Sequence, residues 1–525
     1  MTTPRPNALA RPNLLVGAAV GALALAVYLL TLAPTITWRN EGADSGDLVT
    51  AAVTFGIPHP PGYPLYTLIA AGFARLPLAE PARGVNLFSA VCAAGAIVWL
   101  YAAARALNEP KCAGMFERSN VPSSRGDARL VAASVALTCA FSPLFWSQAV
   151  IAEVYALNAL FIAALLAVIH WHAASDKASW RVWLGAAIFG LGCAHHLPIA
   201  LLAPTAFLLL DPARWQRQWV LPALLFFLIP LSLYLYLPLR AAADPPINWG
   251  EPRTWENFWW MISAAPYRAY LFNLVPGDLA ARIAAAAREL FAQFNGWGVA
   301  LGWWGLAQMW SHDEPRRRRQ MLALALAFVL IVAYAIVYAS RDSYVYLLPA
   351  FMVFALWVAY GLDDLARRLA RGLPCARGAL LGALLLLPAY NLVAHFSAQD
   401  LSRDHQAFDY ARTIITRAPR EAVILTDGDA HLFALQYYRY VIAPDAPVTV
   451  VSSELLQFDW YYNQVRRRMP VLGAPESDYD TRLAQIIEEN SNAGRAVYTT
   501  TAEGWFASYP TLPEGEIYRI VERRR

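Results

Sequence analysis

Two aspartates three residues apart, Asp44 and Asp47 in ADSGDLVTAAVTF, are the residues of this chain best suited to do chemistry. On a helix that spacing is close to one turn, so both carboxylates face one side. A carboxylate so placed can take the proton of an acceptor hydroxyl as a general base. Further along, His59, Glu153, His195, His196, Arg240, Asn248, Arg341 and Tyr344 put polar or ionisable groups into apolar surroundings. Guanidinium groups grip phosphate through paired hydrogen bonds. Acids together with arginines at a membrane surface therefore fit the transfer of a group from a lipid-anchored phosphate donor. Each residue also has a plainer reading. The loop acids can be merely solvated, Arg240 and Arg341 can snorkel to an interface, His196 can be a satisfied helix end, and Glu153 can pair with an arginine in packing.

The elements that must hold these groups are membrane spans. Of 525 residues, 58% are hydrophobic and only 15% charged, which is more apolar surface than an ordinary soluble domain can bury. The net charge of +4 is small and unevenly placed, so it implies no nucleic-acid partner. Cys92, Cys112, Cys139, Cys193 and Cys375 lack metal-ligand spacing and read as free thiols.

Residues 14–33 make a first charge-free span of the ~20 residues a bilayer requires. Arg5 and Arg11 precede it, no small-residue cleavage site follows, and the positive-inside tendency keeps the N-terminus cytoplasmic. The Asp44 loop then lies on the far side, as an amphipathic surface helix ended by His59-Pro60-Pro61-Gly62. Residues 62–78 form a second surface helix. Further spans are expected at 85–104, 130–146, 154–171, 182–194, 197–210, 219–239, 291–310, 320–339, 344–361 and 378–396, with a long polar loop at 240–282. Arginine-rich loops at 111–129, 214–217, 316–319 and 367–377 anchor the cytoplasmic side. The count of eleven depends on 182–210 being two short helices that meet at His195-His196; one kinked span would invert everything downstream. With eleven, all the chemistry-bearing residues fall at one outer level, where ionisable groups near spans mark function.

Residues 398–525 change character and alternate strand and helix: strands at 422–426 and 448–452, helices at 430–440, 459–468 and 481–489. They read as a soluble extracytoplasmic α/β domain following a membrane domain of residues 1–397 whose first external loop is 34–83. Asp427-Gly428-Asp429 imitates the D-x-D metal and nucleotide site of soluble glycosyltransferases. On the outer side no nucleotide-sugar is expected, so the tripeptide reads as a turn with Gly428 at positive φ.

The stretches ADSGDLVTAAVTFGIPHPPGYPLYTL, AVIAEVYALN, GLGCAHHL, YLPLRAAADPPINWGEPRTWENF and RDSYVYLLPAF occur in the order seen in one family. The chain resembles a bacterial member of the DUF2723 or transmembrane protein O-mannosyltransferase-like family. The resemblance runs over nearly the whole chain, including LTDGDAHLFALQYYRYV and FDWYYNQVRRR. It implies a GT-C type glycosyltransferase of mainly α, polytopic fold with about eleven transmembrane helices. It also implies a polyprenyl-phosphate-sugar donor and an acid of the first external loop as base. The sugar would be mannose or another hexose, and the acceptor a protein Ser/Thr or glycan hydroxyl on the periplasmic face of an inner membrane. The family's D-S-G-E/D pattern falls on Asp44, Ser45, Gly46 and Asp47, and its H-P-P-G-Y-P on His59 to Pro64. Asp44 is the expected base and Asp47 its helper. His59, Glu153, His195, His196, Arg240, Asn248, Arg341 and Tyr344 are assigned to donor and phosphate binding. No metal ligand set is assigned, and whether a divalent ion takes part stays open.

A transporter or flippase of a lipid-linked or polar solute is the alternative, and would be favoured by an internal repeat and broken helices at the midplane. A non-catalytic scaffold would need neither Asp44 nor Arg341.

Overall fold

Apolar stretches can satisfy their backbone in lipid only as helices or closed barrels, and here they form helices. The computed structural model describes residues 11–108, 125–173, 179–210, 217–275, 277–311, 315–372 and 382–521. Cys112 and Cys375 lie outside these residues, as do Lys111 and Arg118; Cys92, Cys139 and Cys193 are free and buried. The helices run α1 (Arg11–Thr31), α2 (Ser45–Thr54), α3 (Pro64–Ala74), α4 (Pro81–Asn108), α5 (Arg125–Ala140), α6 (Pro143–Ala149) and α7 (Tyr155–Ala173). They continue with α8 (Ser179–His195), α9 (Ala203–Leu210), α10 (Arg217–Leu231), α11 (Tyr236–Ala242), α12 (Trp255–Ile262), α13 (Asp278–Trp310), α14 (Pro315–Val337) and α15 (Leu348–Gly372). A last long apolar helix is Leu386–Gln399.

Each expected span holds a helix, and the whole is a multi-pass, mainly helical membrane protein. Among the described residues five helices are long and apolar enough to cross a bilayer by themselves, within 13–31, 81–107, 217–242, 317–337 and 343–369. A sixth is the pair α5 and α6, expected as one straight span and instead bent by 68°. The bend is local chemistry, since Ser142 is extended and Pro143 starts the next helix. α13 is broken at Asn295, whose backbone leaves the helical region, so its part after the break answers to the expected span at 291–310 and the part before it is a separate helix that starts inside the polar loop. Small residues set the closest crossings. A Cβ on Gly305 would meet the Trp357 carbonyl oxygen at 2.0 Å, so α13 and α15 approach backbone to backbone.

The C-terminal residues form a five-stranded sheet in the order β2-β1-β3-β5-β4. β1 (Val423–Thr426), β2 (Thr449–Ser452) and β3 (Val497–Thr499) are parallel, while β4 (Thr511–Glu514) and β5 (Ile517–Ile520) close one edge antiparallel. β1 is buried throughout, as expected for a strand covered on both faces. Helix Asp429–Tyr437, which follows β1, lies against α2. That contact corrects the expectation for α2: rather than floating on a bilayer, Ser45 to Ala52 are all buried between this helix and the bundle.

Candidate active site

The site is built on the turn that leaves α1. Asn40 and Glu41 adopt left-handed conformations with φ of 61° and 58°, uncommon for residues with a Cβ, and swing the chain so that Asp44 immediately precedes α2. Gly46 is required two residues later. A Cβ there would sit 2.4 Å from the Phe433 carbonyl oxygen, so only glycine lets helix Asp429–Tyr437 press this close.

The two acids have different surroundings. Asp47 is completely buried, and its Oδ2 accepts from both the main-chain N–H and the ring Nδ1–H of His59, each at 2.8 Å. Pro60 and Pro61 keep His59 out of any helix, which presents its main-chain N–H to Asp47. The other ring nitrogen, Nε2, lies 3.4 Å from Asp44 Oδ2, and the Asp44 side chain is 39% accessible. Burial alone opposes the imidazolium, but Asp44 and the Asp47 hydrogen bond outweigh it and hold the His59 pKa up to about 9. Asp44 is pushed above the usual carboxylate range by desolvation, against the pull of His59 and with a push from Asp47 and Asp342. A buried acid thus orients a protonated histidine, and that histidine faces an open acid whose basicity is raised.

Asp44 and His59 open into a cavity of about 710 Å3. Its walls include Glu153, His196, Arg268, Arg341, Asp342 and Asp429, with Tyr63, Tyr155, Tyr267, Tyr338 and Tyr346 supplying aromatic faces. The lining comes from where α1, α6, α8 and α14 finish and where α7 begins, so these termini share one end of the bundle. The segment after α12 that carries Ser263 to Leu271 reaches the same end. α8 therefore arrives at the cavity and the chain turns away at His196, whose backbone is extended. Residues 182–210 hold two helical elements, α8 and α9, with a break in the helix at His196.

Of the residues singled out from sequence, Asp44, His59, Glu153, His196 and Arg341 line the cavity. Asp47 stands behind His59. The others are supports placed outside the lining. His195 is fully buried, its Nε2 2.9 Å from the Val154 carbonyl oxygen and its ring stacked on Tyr66. Arg240 donates from Nε to the Phe55 carbonyl at 2.7 Å. Asn248 pairs through its backbone with Ile57 and accepts from Gln464. Tyr344 sits beside Glu41. Sequence reasoning missed Arg268, a single basic residue in a long polar loop, and set Asp429 aside as part of a turn. The turn is there, with Gly428 at φ 81°, but Asp429 looks into the cavity. Among the described residues no group of three or more His, Cys, Asp or Glu side chains is placed to hold a metal ion.

Residues 44–219 match the family described as the protein O-mannosyl-transferase TMEM260 N-terminal domain. The chain is 27% identical to the mouse protein O-mannosyl-transferase TMEM260 over 96% of its own length and 74% of the relative's. It is 22% identical to the Dictyostelium discoideum protein O-mannosyl-transferase tmem260 over 83% of its length and 56% of that protein's. Among solved structures it resembles ArnT from Cupriavidus metallidurans bound to undecaprenyl phosphate, with a TM-score of 0.58 at 13% identity, over 96% of this chain and 97% of the other. The Archaeoglobus fulgidus oligosaccharyltransferase, in a complex with Zn and sulfate, matches with a TM-score of 0.50 at 13% identity, over 86% of this chain and 69% of the other. The fold is that of the GT-C membrane glycosyltransferases.

Proposed function

We propose that this homologue of the protein O-mannosyl-transferases moves mannose or another hexose from a polyprenyl-phosphate donor to a Ser or Thr hydroxyl of a polypeptide, at the extracytoplasmic face of a plasma membrane. The observation that carries the reading is the cavity itself, where a raised-basicity carboxylate and a pair of guanidinium groups meet at one end of the helix bundle.

Asp44 takes the proton of the acceptor hydroxyl as its oxygen forms a bond to the sugar's anomeric carbon. The bond from that carbon to the phosphate oxygen breaks, and its electron pair leaves with the lipid phosphate. Arg268 and Arg341 are the cationic donors that stabilise this leaving charge. His59 keeps Asp44 ionised until the proton is needed, and Asp47 keeps His59 in place. The tyrosine faces suit a sugar ring. In the topology we propose, the N-terminus is cytoplasmic and the cavity and C-terminal sheet are outside, with residues 398–525 acting as a soluble domain that closes the cavity.

Sugar transfer from a polyprenyl-phosphate-mannose donor, measured in reconstituted vesicles, tests the assignment. Asp44→Asn, similar in size but a poor base, is expected to lower turnover by roughly 10²–10⁴-fold while donor binding survives. Unchanged transfer at matched protein abundance would remove Asp44 from the chemistry.

A further inference from the structure

The C-terminal sheet contributes a side chain to the reaction cavity. β1 ends at Thr426, and the chain then turns through Asp427 and Gly428 into helix Asp429–Tyr437. In open sheets with parallel strands, ligands bind outside the carboxyl ends of the strands where neighbouring connections diverge. β1 lies between β2 and β3, so the start of this helix is at such a point. Helix and base-bearing loop are locked together by the Gly46 contact with Phe433 and by the indole of Trp38, which donates to the Ala430 carbonyl at 3.0 Å. Asp429 consequently lines the same cavity as Asp44 and His59.

Its neighbours place it beside the base. The charges acting on Asp429 are Asp44, His59 and Asp47, while Tyr267 faces it from the segment after α12 and Glu454 from the segment after β2. The guanidinium groups are Arg268, from that same segment after α12, and Arg341, from the loop after α14. A lipid phosphate is repelled by an acid wall and drawn to the arginines. The acid wall is left to the other substrate, the neutral, hydroxyl-bearing acceptor. On the proposed glycosyltransferase reading, we infer that Asp429 is an acceptor-specificity residue, accepting a hydrogen bond from a donor group beside the attacking Ser or Thr hydroxyl of a polypeptide. The C-terminal sheet is then part of the active site and reads the acceptor. Burial, with Asp44 adding to it and His59 opposing it, lifts the Asp429 pKa to about 6. The contact is lost as pH falls through that value and the carboxylate is protonated.

The test uses the full chain in nanodiscs with undecaprenyl-phosphate-mannose and a mixture of Ser/Thr peptides, and follows both mannose released to water and mannose transferred to peptide. Asp429→Asn is expected to leave release to water within about twofold of wild type and peptide kcat within about threefold, while raising the peptide KM by roughly tenfold. Asp429→Glu should recover part of the KM. The wild-type peptide KM should rise below pH 6, and that of Asp429→Asn should stay flat. A thermal unfolding midpoint at or above wild type shows that the variant is folded. An unchanged KM overturns the inference, as does a loss of mannose release to water, which would put Asp429 on the donor. An effect seen with a mannoside acceptor and absent with peptides would overturn the polypeptide assignment. Wild-type protein that neither releases nor transfers mannose refutes the glycosyltransferase reading itself, which separates the two failures.

Discussion

Replacing His59 by glutamine should move the acid limb of the pH–rate profile rather than lower the whole curve. His59 Nε2 and Asp44 Oδ2 are 3.4 Å apart. With an effective dielectric of about 20, two unit charges at that distance attract by about 5 kcal/mol. The Asp44 side chain is 39% accessible, so solvent screens much of this. The effective attraction is the lower part of the ~1–3 pH units by which an opposite charge this close moves a carboxylate, about 1.4–3 kcal/mol. At 1.36 kcal/mol per pH unit, losing the imidazolium raises the pH at which Asp44 becomes a base by about one to two units.

The sign follows from the two groups. Asp44 must be ionised to accept a proton, so activity falls as pH drops through its raised pKa. His59 is charged below about 9 and favours that ionised form. Below the limb, His59→Gln should be roughly 10–100-fold slower than wild type. Above the limb of the variant Asp44 is ionised in both proteins, and the two profiles should converge. The assay is kcat/KM for mannose transfer between pH 5 and 10. Parallel profiles offset by one factor at every pH would refute the electrostatic role and leave His59 a positioning residue.

Arg268→Lys and Arg341→Lys should each raise the donor KM by about tenfold, because an ammonium cannot reproduce the planar fork. Arg240→Lys should leave the donor KM unchanged and lower the unfolding temperature slightly, since Arg240 holds the Phe55 carbonyl outside the cavity; equal donor effects from all three would undo this division. Gly46→Ala should cost roughly 1–3 kcal/mol, because its Cβ meets main-chain atoms that cannot rotate away. The same variant should cut transfer by parting Asp429 from Asp44, and a fully active, equally stable Gly46→Ala would show that the helix docks differently.

What was legible in the sequence is what local physics decides. Hydrophobic length locates the long helices of the bundle, because a bilayer punishes any other arrangement of an apolar stretch. The strands at 423–426 and 449–452 are legible for a similar reason, being short apolar runs between turn signals. β3, β4 and β5 were missed: β3 is only the three residues Val497–Thr499, and β4 is TLPE, mostly exposed and carrying a proline, which only the edge pairing with IYRI makes a strand. The bend at Ser142 and the burial of α2 come from contacts between segments far apart in the chain, as does the placing of Arg240 against Phe55 rather than in the cavity. No periodicity records such contacts.

The pair Asp44 and Asp47 shows where that boundary runs inside the site itself. Both are aspartates on one helical turn, and nothing in their types or spacing assigns the base. Burial separates them. Asp47 has no accessible surface and spends Oδ2 on two bonds to His59, so it cannot meet an acceptor. Asp44 is left facing the cavity. The family pattern allows Glu at the second position, and here Asp fits the space: with His59 held at 2.8 Å through both ring and main chain, one more methylene would have to displace the histidine from Asp44. Asp47→Glu should therefore fail in the same way as His59→Gln, by shifting the acid limb. The shorter side chain is what lets Asp47 act through His59 on Asp44.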